Sequence, residues 1–347
     1  MATSPHHLYI DSAATGQVTH IVIYRPEGAV RAVLQIVHGM IEHIGRYDAF
    51  AQWLAARGIA VIGHDHPGHG LSAFDPERGT LRPGAQFGHY ADPLTLQEPQ
   101  DGRYAGQTLN GTDIVLGNMW RVTQTAQREW PGVPLYIMGH SMGSFFTRRF
   151  ITLHSEALAG AIIMGTGWHT AIETVPGLWL SRLIATCCGR RRTSRLLTLL
   201  TNGGYDKAFP GEGHNAWLSV NPDNVKAHNE DPLCQFEFSA GAYADFFRCM
   251  NALAHRRDYD RIRHDLPILV TSGGDDPVGG RKAVQKVADE YQRLGIRDIT
   301  RKVYDGLRHE IIGEACREQV FADIEGWIIQ VSQASLVSDK VKSRLRR

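Results

Sequence analysis

A serine hydroxyl attacks only if a sharp turn thrusts it clear of the backbone. Gly139-His140-Ser141-Met142-Gly143 is spaced to make that turn. An apolar run at residues 135–138 reads as a short buried strand, and a helical pattern resumes at Phe145. Strand before and helix after separate a nucleophile elbow from a glycine-rich turn with a bystander serine. Such a turn crowds the positions two before and two after the serine, and Gly139 and Gly143 lack a Cβ there. The helix N-terminus that follows sets the Met142 N–H, and the helix dipole, near a developing oxyanion.

A serine nucleophile needs a base, and the base needs an orienting carboxylate. On an elbow fold the acid and then the histidine follow the serine, on loops after later strands. Asp275 and Asp276 stand just past the apolar run at 268–271, and His309 just past the run at 299–304. Ligands gather at the C-terminal ends of such strands, so both loops belong at the edge that holds Ser141. Asp276 is preferred because it directly precedes the chain-stiffening Pro277; Asp275 is second. Singly, each Asp reads as well as a turn residue or helix cap, and His309 as a solvated loop side chain. The joint spacing favours the triad. A second oxyanion donor should follow the third strand, where His38-Gly39-Met40 offers the Met40 N–H and Gly39 permits close approach. His64, Asp65, His66 and His69 could suggest a metal, but their irregular spacing and the interleaved Pro67, Gly68 and Gly70 indicate a turn. No metal or cofactor is expected. Glu42 and His43 read as structural loop residues.

These side chains need a scaffold. Residues 8–10, 18–24, 32–37 and 59–62 read as strands, with 32–37 apolar throughout and so central. A helix between the last two carries Tyr47, Phe50 and Leu54 on one face and stops at Gly58. Residues 74–111 read as irregular, with four prolines; a loop this long is functional or disordered. Thr112 or Asp113 is positioned to cap the next helix, with Val115, Met119, Val122 and Ala126 inward. From 166 to 243 the strand–helix rhythm breaks, as for a mainly helical cap, and it returns at 268. The final helix carries Val320, Phe321, Ile324, Trp327, Ile328 and Val331 at helical spacing. The expected division is a core at 1–165 with the long loop 74–111, a cap at 166–243, a second core part at 244–335 and a frayed basic tail at 336–347. The fold class is α/β, a mostly parallel sheet with helices on both faces.

Composition narrows the function. Lys+Arg 37 against Asp+Glu 36 gives a net charge of +1, with no field suited to nucleic acid. The first residues have no apolar leader core, and no run of about 18 apolar residues exists to span a bilayer. Five cysteines without framework spacing suggest reduced thiols and a cytoplasmic setting. Arg190-Arg191-Arg192, beside an apolar helix, reads equally as a solvated helix end or as a contact for an anionic membrane surface.

Five motifs in order carry a resemblance: the stretches 38–47 (His38-Gly-Met-Ile-Glu-His-Ile-Gly-Arg-Tyr47), 65–72 (Asp65-His-Pro-Gly-His-Gly-Leu-Ser72), 139–143, 276–279 and 308–311. Together they resemble the monoacylglycerol lipase and lysophospholipase branch of the α/β-hydrolases, over about residues 9–329. The resemblance implies Ser141 as nucleophile, Asp276 as acid, His309 as base, Met40 and Met142 as oxyanion donors, and a cap over an acyl-binding tunnel. It implies Gly39, His140, Trp217 and Phe238 as substrate-binding candidates and a small acyl ester or lipid as partner. The long loop and the arginine triplet depart from the branch and leave the substrate open. Amide hydrolysis, as in aminopeptidases of this fold, and an inactive binding scaffold are the rival readings.

Overall fold

The computed structural model describes residues 4–13, 16–95, 108–201 and 203–345. An eight-stranded sheet crosses the molecule. Its strands are β1 (His6–Asp11), β2 (Val18–Tyr24), β3 (Ala32–Val37), β4 (Ile59–His64), β5 (Leu135–His140), β6 (Gly160–Met164), β7 (Ile268–Gly273) and β8 (Ile299–Tyr304), in spatial order β1-β2-β4-β3-β5-β6-β7-β8. The β1–β2 and β2–β4 pairs are antiparallel and the remaining pairs parallel. This is the α/β-hydrolase sheet. The apolar residues of β3 and β5 alternate between its two faces. Val33, Val37 and Ile137 pack with α2 (Gly111–Glu129) and α3 (Met142–His154), while Leu34, Ile36, Tyr136 and Met138 pack with α1 (Asp48–Ala55) and α9 (Arg317–Leu345). Burying each such side chain stabilises the fold by about 1.5–3 kcal/mol, which is why these strands read as continuous apolar runs.

Between β6 and β7 the chain leaves the sheet to form α4 (Ala171–Cys188), α5 (Arg195–Thr201), α6 (Pro222–Glu230) and α7 (Ala240–Ala254), with short 3-10 turns between α5 and α7. The expected cap boundary at 243/244 falls inside α7. The helix α8 (Gly280–Arg293) then leads to β8.

Three local expectations are revised. The loop 74–111 is not wholly irregular, for Phe74–Asp75 pairs with Thr80–Leu81 and Leu94–Thr95 with Thr108–Leu109; the expectation for 96–107 lies outside the described residues. The helix α2 is capped by Asn110, whose side chain accepts from the Thr112 and Asp113 N–H groups, while Asp113 returns the contact from inside the helix. A capping box thus displaces the simpler Thr112 or Asp113 cap. The C-terminal segment does not fray at 336; α9 stays helical to Leu345, and 346–347 lie outside the described residues.

The turn after β4 shows why histidines are frequent here. The Asp65 carboxylate accepts from the Ile44 and Leu71 N–H groups and from the His20 ring, each at 2.8 Å. The His66 ring meets the His38 carbonyl, and the His69 ring meets those of Pro67 and Met40. The cluster is therefore a braced turn. Burial pushes the His38 imidazole down to about 3 and the His64 imidazole down to about 4. The unfolded chain binds protons below about pH 6.5 that these buried rings refuse, so stability falls as pH drops from about 6.5 towards 4. His64→Phe should remove about 2 kcal/mol of the stability difference between pH 7 and pH 5. Denaturant melts at the two pH values check this; an unchanged difference would refute it.

Candidate active site

Ser141 joins β5 to α3 with φ 52° and ψ −123°. A non-glycine residue in that region carries about 1–3 kcal/mol of strain and persists only if its surroundings impose it. They do so here by close packing. A Cβ on Gly139 would collide with the Gly143 carbonyl and Thr147, and one on Gly143 with the Val37 carbonyl at the end of β3. The Ser141 N–H donates to the Met164 carbonyl at 3.0 Å, tying the turn to β6.

His309 and Asp276 meet at the same edge of the sheet. The His309 Nδ1 lies 3.0 Å from Asp276 Oδ2, which also accepts from the Ser272 hydroxyl at 2.8 Å; Oδ1 accepts from the Val278 N–H at 2.9 Å. Burial alone would raise the Asp276 carboxyl, yet His309 and these donors hold it below the usual carboxylate range. An ionised Asp276 accepts the Nδ1–H of His309, a tautomer that in the neutral ring puts the lone pair on Nε2. That Nε2 is buried and has no hydrogen-bond partner. Asp275 is exposed, and its N–H serves a turn contact to Leu307.

The loop after β3 passes over the serine: a Cβ on Gly39 would lie 3.1 Å from the Ser141 Cβ. Met40 follows Gly39, and Met142 opens α3, where an N–H has no partner within the helix. Ser141, His309, His140, Met40 and Met142 line one cavity of about 1020 Å³. Its apolar wall includes Phe145, Leu180, Phe246, Phe247 and Val278. Trp217 also lines it and packs on His309 with ring centroids 4.8 Å apart. Phe238 does not line it. That ring is fully buried against His69, Tyr90, Phe236 and Tyr243, and its neighbour Phe236 faces the cavity instead. Gly39 backs the serine and is absent from the cavity wall.

A family model described as serine aminopeptidase, S33, matches residues 28–315. The chain belongs to that family. It is 24% identical over 319 residues to the monoglyceride lipase of Mus musculus, covering 91% of this chain and 88% of that one. It is 27% identical over 314 residues to the monoacylglycerol lipase of Mycolicibacterium smegmatis, covering 88% and 91%. In fold it is similar to a thermostable carboxyl esterase from Bacillus coagulans, with a TM-score of 0.81 at 23% identity, covering 95% of this chain and 99% of the other. The motif resemblance to the monoacylglycerol lipase branch of the α/β-hydrolases thus meets relatives of that name.

Within this member of the family the polar support is wider than the motifs indicate. Glu42, read as a structural loop residue, is a buried hub. It accepts from the Gly39 N–H, from the Tyr47 hydroxyl at 2.9 Å and from His140 Nδ1 at 3.1 Å, and it lies 3.7 Å from Arg46. Burial opposes its charge, but His140 and Arg46 prevail and hold it ionised. The same contact overcomes burial at His140 and raises that imidazole. His140 Nε2 then reaches the His309 carbonyl at 3.3 Å. Arg46 continues the network to Glu310 at 2.5 Å, and Glu310 accepts from Asn224 of the cap at 2.6 Å. The i, i+4 spacing of Glu42 and Arg46 was the available signal; their long-range partners left no local trace.

Among the described residues, His43, Asp231 and Cys234 bring three donor atoms within 4.8 Å of one another. A metal does not suit them. The Gly45 N–H donates to His43 Nδ1 at 3.2 Å, so the ring proton resides on Nε2, where it donates to Asp231 at 2.8 Å. No lone pair remains at Nε2, and the pair instead pins the cap to the loop.

Glu42→Ala should destabilise the protein by about 3 kcal/mol or more, because the His140 and Arg46 charges lose their buried partner. It should also lower ester turnover roughly a hundredfold, because the Gly39-Met40 loop loses its anchor. Glu42→Gln, which keeps an acceptor oxygen, should lose less of both. Denaturant melts and initial rates check this; wild-type turnover in Glu42→Ala would remove the loop-anchoring role.

Proposed function

We propose that the protein is a serine hydrolase that cleaves the carboxylic ester of a single-acyl lipid, with a monoacylglycerol as the substrate class. The observation that carries the reading is a strained Ser141 lining the same cavity as a buried His309 that is tied to Asp276 through Nδ1. In this reading the Ser141 Oγ attacks the ester carbonyl while His309 Nε2 takes its proton. Asp276 holds the imidazole and stabilises its charged form. The Met40 and Met142 N–H groups receive the oxyanion. The proton passes to the departing alcohol, and water hydrolyses the acyl-enzyme by the same route in reverse. The relatives named as monoglyceride and monoacylglycerol lipases and the similarity to a carboxyl esterase support ester hydrolysis.

The headgroup choice rests on charge. Glu42, Glu173, Asp206, Glu237 and Glu310 line the cavity, and no Lys or Arg is among its described lining residues. A phosphate would meet carboxylates with no Lys or Arg beside them, and the raised His140 imidazole is already paired with Glu42, whereas glycerol hydroxyls need only neutral acceptors and donors. Ser141→Ala should abolish fatty-acid release and fluorophosphonate labelling; labelling at the wild-type rate would sink the serine mechanism. The wild type should favour a monoacylglycerol over an anionic lysophospholipid of equal chain length by at least roughly tenfold in kcat/KM, and parity would sink the headgroup assignment. An amide reading is favoured by the family's description and by the same carboxylates, which suit an α-ammonium group; faster cleavage of an aminoacyl amide would select it.

The cap supports work at a lipid surface. Ile172, Trp179 and Leu183 are exposed on one face of α4, and Leu199 and Leu200 are exposed on α5. A soluble chain seldom leaves so many large apolar side chains together in water. The arginine triplet contributes less than its sequence indicates. Arg190 pairs with Asp245 at 2.5 Å and Arg191 with Asp92 at 2.9 Å. The proposed contact is a peripheral one through this cap face; among the described residues no helix is long and apolar enough to cross a membrane. Trp179→Ser with Leu183→Ser should reduce binding to vesicles and turnover of vesicle-borne substrate several-fold, with short soluble esters unaffected. Co-sedimentation and parallel rate assays decide it, and unchanged vesicle binding would count against the cap face.

A further inference from the structure

Three cap contacts converge on the residues around His309. The first is the side chain of Arg308, which is 8% exposed. Its guanidinium donates to both oxygens of Glu212, at 3.0 and 2.8 Å, and to the Ala216 carbonyl at 2.8 Å. It also lies 3.7 Å from the centroid of the Phe209 ring. The second is the Glu310 N–H, which donates to the Leu218 carbonyl at 2.7 Å. The third is the Trp217 ring against the His309 imidazole itself, with Tyr205 packed behind Trp217 at 4.8 Å. One cap segment, residues 205–218, therefore grips positions 308, 309 and 310 in succession. On the core side the backbone of Arg308 is wedged against β7, where a Cβ on Gly273 would collide with its carbonyl.

The segment that makes this grip has little structure of its own. It consists of two 3-10 turns, Tyr205–Ala208 and Ala216–Leu218, with Gly211 and Gly213 both at positive φ between them. Within it the Asp206 carboxylate accepts from the Asn215 and Trp217 N–H groups at 3.1 and 3.5 Å, and with no longer helix or strand to carry it, its order also depends on what it touches. Arg308 supplies much of that. A planar guanidinium can satisfy a carboxylate, a carbonyl and an aromatic face at once, which a lysine ammonium cannot do in fixed geometry.

We infer that Arg308 is a positioning residue: it makes the order of the cap segment 205–218 a condition for holding the His309 imidazole in its working place. The inference rests on His309 being the base of the proposed reaction. Asp276 fixes one edge of the ring and the His140 contact fixes the backbone behind it. The remaining freedom, rotation of the ring toward or away from the serine, is limited by Trp217, and Trp217 sits where Arg308 holds its neighbours. A displacement of the base on the scale of 1 Å is sufficient to lower the rate up to about a hundredfold.

The test uses the full-length protein and two reactions that do not need the lipid cavity: hydrolysis of p-nitrophenyl acetate and inactivation by a small fluorophosphonate. Glu212→Gln removes the charge partner of Arg308 at a half-exposed site outside the reacting groups. It should lower kcat for p-nitrophenyl acetate and the fluorophosphonate inactivation rate together, by roughly three- to tenfold, with KM for the acetate unchanged. Arg308→Lys should lose more than Glu212→Gln, and Arg308→Ala more again, with thermal melts confirming that each variant is folded. If both variants at 308 and Glu212→Gln keep wild-type rates on the two small reagents, and only KM for the long-chain ester rises, Arg308 serves the cap alone and the inference is overturned. Ser141→Ala is run in parallel. Turnover that survives in that variant would refute the serine mechanism itself, an outcome distinct from failure of the Arg308 series.

Discussion

The structure depends on one unfavourable backbone conformation. Ser141 can hold φ 52° only while β3, β5 and α3 press together tightly enough that Gly139 and Gly143 have no room for a side chain. That compression also sets the remaining geometry. Because Gly143 abuts Val37, the last residue of β3, the loop that follows β3 emerges directly beside the serine. The two proposed oxyanion donors thus sit on either side of a single contact between neighbouring strands. The sheet order then brings the ends of β7 and β8 to the same edge, carrying Asp276 and His309. Strain at one residue is distributed over the packing of the core, where it is small against the total burial.

Buried charge is the second organising element. Glu42, Arg46, His140 and Glu310 form a connected set with few exposed atoms, and a buried network of this kind stabilises only when its members are satisfied. Its reach explains its value to the site. It begins at the loop over the serine, touches the backbone of His309, and ends at Asn224 of the cap, and beside it His43 and Asp231 make a separate pair between loop and cap. Cap and core are thereby joined by polar contacts, while the apolar side chains of the cavity wall remain available for an acyl chain.

The parts of this arrangement legible in the sequence are those with a local signature. Apolar runs located β3, β4, β5 and β7 to within a residue or two, because strands buried on both faces exclude polar side chains. The sharp turn at Ser141 was legible from its two glycines, and the proposed acid and base from their places just after β7 and β8. The preference for Asp276 over Asp275 rested on Pro277 alone; the structure buries Asp276 against His309 and leaves Asp275 in solvent. Contacts between distant segments were not legible. Nothing local distinguishes Phe236 from Phe238, two aromatic residues two positions apart in a connecting segment, though one faces the cavity and the other the core. The Glu42 hub and the Arg308 contacts have partners roughly a hundred residues away or more. The triplet of arginines looked like a surface charge patch, but two of its members pair with acids brought to them by the fold.

The long insertion between β4 and α2 has its own consequence. Its inner part is anchored: His89 bonds Ser239 beneath the cap, and Tyr90 reaches the sulfur of Met142. Beyond that anchor, Leu94–Thr95 and Thr108–Leu109 meet as a two-residue ladder. The ladder brings residues 95 and 108 side by side and fastens the insertion there, at a neck. Added chain at a point where two strands already meet costs little, since doubling a loop's length adds only about 0.6 kcal/mol of closure entropy. The neck is therefore a natural graft point, where a foreign peptide or a tether could be spliced in with the hydrolytic core left untouched.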